Sequence, residues 1–254
     1  MYSIESILFW ILFVVVILSL LMFLFASFRV TTPHDLPKIT EDIDIHTLRT
    51  GDVLGVGYTH PFGWFVKAWS GSVWSHTGIV WKNPEDGQVY VLEAAMYHEP
   101  YRGVFKIPIL DWIRINRKSY IGLARLKGPP IDPVKLIQVF EERKKHVELE
   151  GYNWRWYRLL FKTPFYEETR KRYTCYEIVV VLLQDIGVIK KLYTCSSYWP
   201  WHVMTGNIHT TKGYKFESAV LLDVDKLMDL RRAEQKIGNS KGRCARYCGS
   251  WSYD

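Results

Sequence analysis

An α+β domain behind a single membrane span is what this sequence predicts, and three stretches carry the prediction. Residues 7–28 are an apolar run with no charge and only two serines, long enough as a helix to cross about 30 Å of hydrocarbon. Two strand-like segments, 76–81 and 88–94, flank Asn83-Pro84-Glu85-Asp86-Gly87, a hairpin-turn sequence. Two helical patterns come later, an amphipathic one from Asp132 and an almost wholly apolar one from Cys175. The 254 residues leave room for one sizeable domain besides the span.

Taken in order, residues 1–6 are a short flank, 7–28 the transmembrane helix and 29–45 a juxtamembrane linker with two prolines and several acids. A secretory signal would open on basic residues and end on small ones. Here the first six residues hold no Lys or Arg, and Ala26-Ser27-Phe28 is a poor cleavage site, so the segment reads as a single-pass anchor. Arg29, Lys38 and Arg49 follow the span and Glu5 precedes it, which places the soluble domain on the cytoplasmic side. None of the asparagines opens an Asn-X-Ser/Thr sequon, in keeping with that side. Four cysteines in a chain this long are no disulfide scaffold. Cys244 and Cys248, four apart in a polar tail with no His or Cys nearby, read as an incidental pair; no metal or other cofactor is expected.

The globular domain is expected over residues 46–225. Leu48-Arg49-Thr50-Gly51-Asp52 reads as a turn before a strand at 53–56. Residues 61–70 have helical apolar spacing, broken by Gly71-Ser72, and precede the hairpin. A further strand is expected at 120–126, closed by Gly128-Pro129-Pro130. Asp132 as cap and Pro133 in the first turn start a helix to about residue 149, with Val134, Ile137, Phe140 and Val147 as its apolar face and Glu141 to Lys145 mostly opposite. Gly151-Tyr152-Asn153-Trp154 turns the chain, and an aromatic stretch leads to the Cys175 helix, which ends at Asp185-Ile186-Gly187. Residues 218–222 form a last strand, and 226–254 hold a charged helix and a basic tail. No internal repeat is present.

The chemistry centres on Tyr173-Thr174-Cys175-Tyr176-Glu177. Thr174 can cap the helix, which places Cys175 in the first turn, where free N–H groups and the helix dipole favour a thiolate. Arg170, Lys171 and Arg172 upstream push the same way. A small buried residue opening a core helix fits the same local sequence. Upstream, Ser75-His76-Thr77-Gly78-Ile79 places a histidine at the start of a strand, and Val91-Leu92-Glu93-Ala94 places a carboxylate on its neighbour. If the two strands pair, Glu93 can orient His76, and Cys175 completes nucleophile, base and orienter.

With Thr50-Gly51-Asp52 before them, these residues form an ordered set. It resembles the permuted papain-like amidases, the circularly permuted branch of the NlpC/P60 superfamily with its YiiX/YaeF-type and poxvirus-type relatives. The matches are Gly51-Asp52, Ser75-His76-Thr77-Gly78-Ile79, Glu93-Ala94, Gly151-Tyr152-Asn153-Trp154 and Cys175-Tyr176-Glu177, over roughly residues 48–190. The resemblance implies a permuted papain-like fold, a small antiparallel sheet packed on helices. It implies Cys175 as nucleophile, His76 as base and Glu93 as the orienting residue of a thiol hydrolase or acyltransferase acting on an amide or ester bond. Tyr176 departs from the family's usual Ser and bears on substrate access and oxyanion geometry.

Peptides and lipid acyl groups are both substrates such an enzyme takes. The anchor, the aromatic content (11 Trp, 16 Tyr) and the net charge of +7 tilt the expectation towards a membrane-proximal acyl substrate. The alternative is structural. Relatives of this fold occur in large DNA viruses, and a basic, aromatic-rich, anchored domain suits a minor capsid protein that ties an internal virion membrane to its shell. The partners expected are the bilayer, through residues 7–28, and capsid or membrane-protein neighbours, through the aromatic segment 193–201 and the C-terminal tail. Basic residues are scattered and no nucleic-acid-binding signature appears, which argues against a nucleic-acid partner.

Overall fold

The computed structural model describes residues 3–30, 45–70, 72–96, 102–145, 173–192 and 198–223. The linker, the Gly151-Tyr152-Asn153-Trp154 turn, Arg170 to Arg172, most of the aromatic segment 193–201 and the predicted helix and tail beyond 223 lie outside these residues. The chain divides into two units, 1–222 and 223–254, and the description below belongs to the first.

Helix α1 (Ile4–Val30) opens the chain. At 1.5 Å per residue it measures about 40 Å, more than a bilayer core requires. No part of its most apolar stretch, Ile4–Leu21, is buried against protein, so the helix is long and apolar enough to cross a membrane.

After a 3₁₀ turn (Ile45–Thr47), the domain is built on an antiparallel sheet. Its strands are β1 (Val53–Gly57), β2 (His76–Lys82), β3 (Val89–Met96), β4 (Arg102–Pro108), β5 (Tyr120–Ala124) and β8 (Val220–Leu221), in the order β4-β3-β2-β1-β5-β8. A separate pair joins β6 (Leu126–Lys127) to β7 (Lys215–Phe216). All five residues of β1 are buried, which explains why Val-Leu-Gly-Val-Gly does not alternate with polar residues: both faces of the sheet are covered. The expected hairpin forms. Gly87 takes φ +71°, its N–H donates to Asn83 O at 2.9 Å, and Asp86 Oδ1 accepts from Gln88 N–H at 2.8 Å. The pairing runs Ile79↔Leu92, Val80↔Val91, Trp81↔Tyr90.

One side of the sheet is packed by α4 (Pro133–Lys145), α5 (Cys175–Asp185) and α6 (Pro200–Met204). Ile178 to Leu183 of α5 are at most 1 % exposed and join Ile79, Trp81, Leu92 and Ala94 in one apolar cluster. Gly187, φ +83°, ends the helix as its sequence suggests. Helix α4 buries Leu136 and Phe140, whereas Val134, expected on the apolar face, is 47 % exposed. Residues two apart lie about 200° round a helix, so Val134 and Leu136 cannot share a face. Trp81 Nε1 donates to Pro133 O at 2.8 Å and fixes where α4 begins.

The other side is closed by α3 (Ile109–Asn116), with Ile109, Trp112 and Ile113 buried, while α2 (Pro61–Ser70) lies against α1. Neither β4 nor α3 was expected from the sequence. The strand expected over 120–126 is interrupted at Arg125. Asp52, fully buried, accepts from Leu126 N–H at 3.0 Å, Arg49 N–H at 3.0 Å and Arg125 Nη1 at 3.1 Å, and so draws the chain out of the sheet. Gly51 beside it takes φ +98°, and a methyl there would lie 2.9 Å from Ile131 Cγ1, which accounts for the Gly51-Asp52 pair. Tyr198 and Trp199, expected in a docking segment, are buried in the domain at 4 % and 6 % exposure, while Trp201 is half-buried.

Candidate active site

His76 is the first residue of β2, and Glu93 lies on β3, which pairs with it. Both are buried, at 3 % and 0 % exposure, and His76 Nε2 stands 2.6 Å from Glu93 Oε2. A carboxylate only accepts, so Nε2 carries the proton and donates. Gly78 makes room for the contact. It shares a face with His76, and a methyl on it would overlap Val91 Cγ1 and lie 3.3 Å from Glu93 Oε2. The Gly of Ser75-His76-Thr77-Gly78 is therefore steric in origin.

Glu93 has a second donor. Trp112 Nε1 of α3 donates to the same Oε2 at 2.8 Å, so α3 holds the carboxylate in place from behind. Glu93 Oε1 is buried with no hydrogen-bond partner, a cost that buried polar groups seldom bear outside functional sites. Nothing in the local sequence marked Trp112. The usable signal was general: a buried indole N–H seeks an acceptor.

Cys175 is the first residue of α5, free and 5 % exposed. The thiol lies close enough to His76 to act on its charge, and with Nε2 committed to Glu93 the nitrogen left for it is Nδ1. Burial opposes a charge on His76. The charges of Cys175 and Glu93 and the hydrogen bonds from both outweigh it and raise the imidazole from 6.5 to about 10. The arrangement thus favours a protonated imidazole between the thiol and the carboxylate.

The elements that carry Cys175 are themselves fastened. Thr174 N–H donates to Glu177 Oε2 at 2.7 Å, one half of a capping box, while Thr174 Oγ1 is buried without a partner. At the far end, Arg143 of α4 pairs with Asp185 at 2.6 Å and reaches Tyr173 OH at 3.3 Å, tying α4 to both ends of α5. Tyr176 is turned into the domain, 7 % exposed, its ring stacked on Trp199 at 6.1 Å. A third neighbour, Tyr58, was not anticipated: its ring lies 5.5 Å from that of His76, and its N–H donates to Ser75 Oγ at 2.9 Å. The Ser beside the histidine thus positions the loop after β1.

The structure therefore brings Cys175, His76 and Glu93 together. Among the described residues no group of three or more His, Cys, Asp or Glu side chains is placed to hold a metal ion, and Cys244 and Cys248 fall outside them.

Comparison of the sequence with protein-family models and with curated proteins gives no match. Among solved structures, the chain is similar to the metalloprotein YiiX from Escherichia coli O157:H7. The match covers 71 % of this chain and 92 % of that one, at 17 % identity and a TM-score of 0.39. The architecture here is a mixed helix and sheet fold with an antiparallel sheet and one N-terminal apolar helix.

Proposed function

We propose that this protein is a membrane-anchored cysteine hydrolase or acyltransferase of permuted papain-like fold, acting on an amide or ester bond in a peptide or a lipid acyl group. The observation that supports it is the His76 ring, bonded to Glu93 at 2.6 Å and close enough to the Cys175 thiol for each to act on the other's charge. In this reading the Cys175 thiolate attacks the carbonyl carbon, and the N–H groups of the first turn of α5 meet the developing oxyanion. The C–N or C–O bond breaks as His76 gives its proton to the leaving amine or alcohol. The thioester left on Cys175 is then attacked by water, or by an acceptor, whose proton His76 takes. Glu93 keeps the ring oriented and its positive charge matched, and Trp112 keeps Glu93 in place.

The test is a set of variants assayed on activated ester and amide substrates in detergent. Cys175→Ala abolishes turnover and leaves the thermal midpoint near that of the wild type, because the position accepts a small residue. His76→Ala slows it roughly 10²- to 10⁴-fold, and Glu93→Gln slows it less, since the base remains. Turnover retained by Cys175→Ala contradicts the nucleophile assignment.

A further inference from the structure

Outside the Cys175, His76 and Glu93 cluster, the side chain least at home in its surroundings is Lys67. It belongs to α2 and is only 2 % exposed, although lysines are almost never buried without a partner. No carboxylate among the described residues pairs with it, and burial alone lowers it from 10.5 to about 8. It keeps its proton at neutral pH, and with no protein partner among those residues its amine tip keeps only what little solvent reaches it.

Its neighbourhood gives that charge a direction. His60 immediately precedes α2, seven residues before Lys67; positions i and i+7 share a helix face, and a helical side chain leans back towards the N-terminus. His60 feels the Lys67 charge: its imidazole is lowered by burial and then by Lys67. His60 Nδ1 accepts from Gly63 N–H at 3.2 Å, so the neutral ring carries its proton on Nε2 as a second donor. The ring lies 4.7 Å from that of Tyr58, which in turn lies 5.5 Å from His76. His60 thus stands two ring contacts from the proposed base, with Lys67 near enough to act on its charge.

We propose that Lys67 Nζ and His60 Nε2 form an anion-binding subsite that takes a carboxylate or phosphate on the substrate, held across Tyr58 from the bond that Cys175 attacks. The subsite rests on the hydrolase reading above and narrows its substrate class. An oxyanion supplies Lys67 with the partner it lacks among the described residues and accepts from His60 Nε2–H. Helix α2 also packs against α1, so a phospholipid headgroup can supply the anion as readily as a soluble substrate.

Two alkylating agents of similar size test this on the full chain in dodecyl maltoside. Iodoacetate carries a carboxylate and iodoacetamide does not. The rate ratio of the two at Cys175 falls roughly tenfold in Lys67→Met, because the positive charge that draws an anionic reagent into the site is gone, and Lys67→Arg retains most of it. Met keeps the apolar stem, so the thermal midpoint of Lys67→Met stays level or rises; a lysine that merely packs would predict a fall in midpoint with an unchanged ratio. Equal ratios in wild type and Lys67→Met overturn the subsite. If Cys175 reacts with neither reagent, the hydrolase reading fails by itself, and the subsite is judged by equilibrium dialysis of radiolabelled inorganic phosphate. Saturable binding that Lys67→Met removes supports it, and the same binding in both proteins overturns it. Inorganic phosphate and dihexanoyl phosphatidylglycerol, compared as competitors of iodoacetate, distinguish a free anion from a lipid headgroup by which protects at lower concentration.

Discussion

His76 is the residue on which the proposed chemistry turns, because its charge is set by neighbours on two other elements, Glu93 on β3 and Cys175 on α5. Its pKa is raised above the value it has in an unfolded chain, so the sign of its effect on stability is fixed. The contribution is fully present below pH 6.5 and is lost as the pH rises through about 10. The chemical-denaturation midpoint therefore declines across that window, and His76→Gln flattens the decline. A slope identical in wild type and His76→Gln would mean that the buried ring is not charged in the native state. The role of Trp112 belongs to this scale too. A residue on α3, far from the hairpin in sequence, completes the support of Glu93, and no spacing rule connects positions 93 and 112.

At the level of elements, the site depends on how tightly β2 and β3 lie together. Gly78 is the narrow point, since a side chain there meets Val91 and the Glu93 carboxylate. Gly78→Ala is expected to cost about 1–3 kcal/mol in urea unfolding, the usual penalty for overpacking a filled core, and to slow turnover beyond what lost stability explains. A variant of wild-type stability and activity would show that the strands have slack. This is also where the sequence was most and least legible. The hairpin, the helix at 61–70 and the start of α5 could be read because turn residues and caps are local signals: Asn83 to Gly87, Thr174 and Gly187. From them the meeting of His76 with Glu93 followed by pairing alone. Strand β4 and α3 could not be read, because Arg102–Pro108 runs straight into Ile109–Asn116 and no turn residue but Pro108 itself marks the change. The face of α4 was misjudged because Val134 is as apolar as Leu136, and only the packing against α5 decides which one turns inward.

For the whole molecule, the N-terminal helix of 27 residues, long and apolar enough to cross a membrane, would hold the proposed chemistry beside a bilayer. We expect the protein to stay with the membrane fraction through alkaline carbonate extraction, as a spanning helix does and a surface-bound domain does not. If the positive-inside rule holds for the basic residues after the span, the domain faces the cytoplasm, and protease added to sealed cells or spheroplasts spares it. Digestion from outside would reverse that topology. The two aromatic regions expected to meet partners fare differently at this scale. Tyr198 and Trp199 serve the core that carries Cys175, through the stack on Tyr176, while the C-terminal tail lies beyond the described residues.

The central claim, that Cys175 and His76 act as a thiolate and imidazolium pair, is tested most directly by the pH dependence of iodoacetamide labelling at Cys175. The measurement uses the detergent-solubilised chain, with His76→Ala as the comparison. The account predicts labelling well below pH 7 that disappears in the variant. Labelling only above about pH 8.5, where an ordinary thiol ionises, or labelling unaffected by the loss of His76, would contradict it and leave the fold without the chemistry proposed for it.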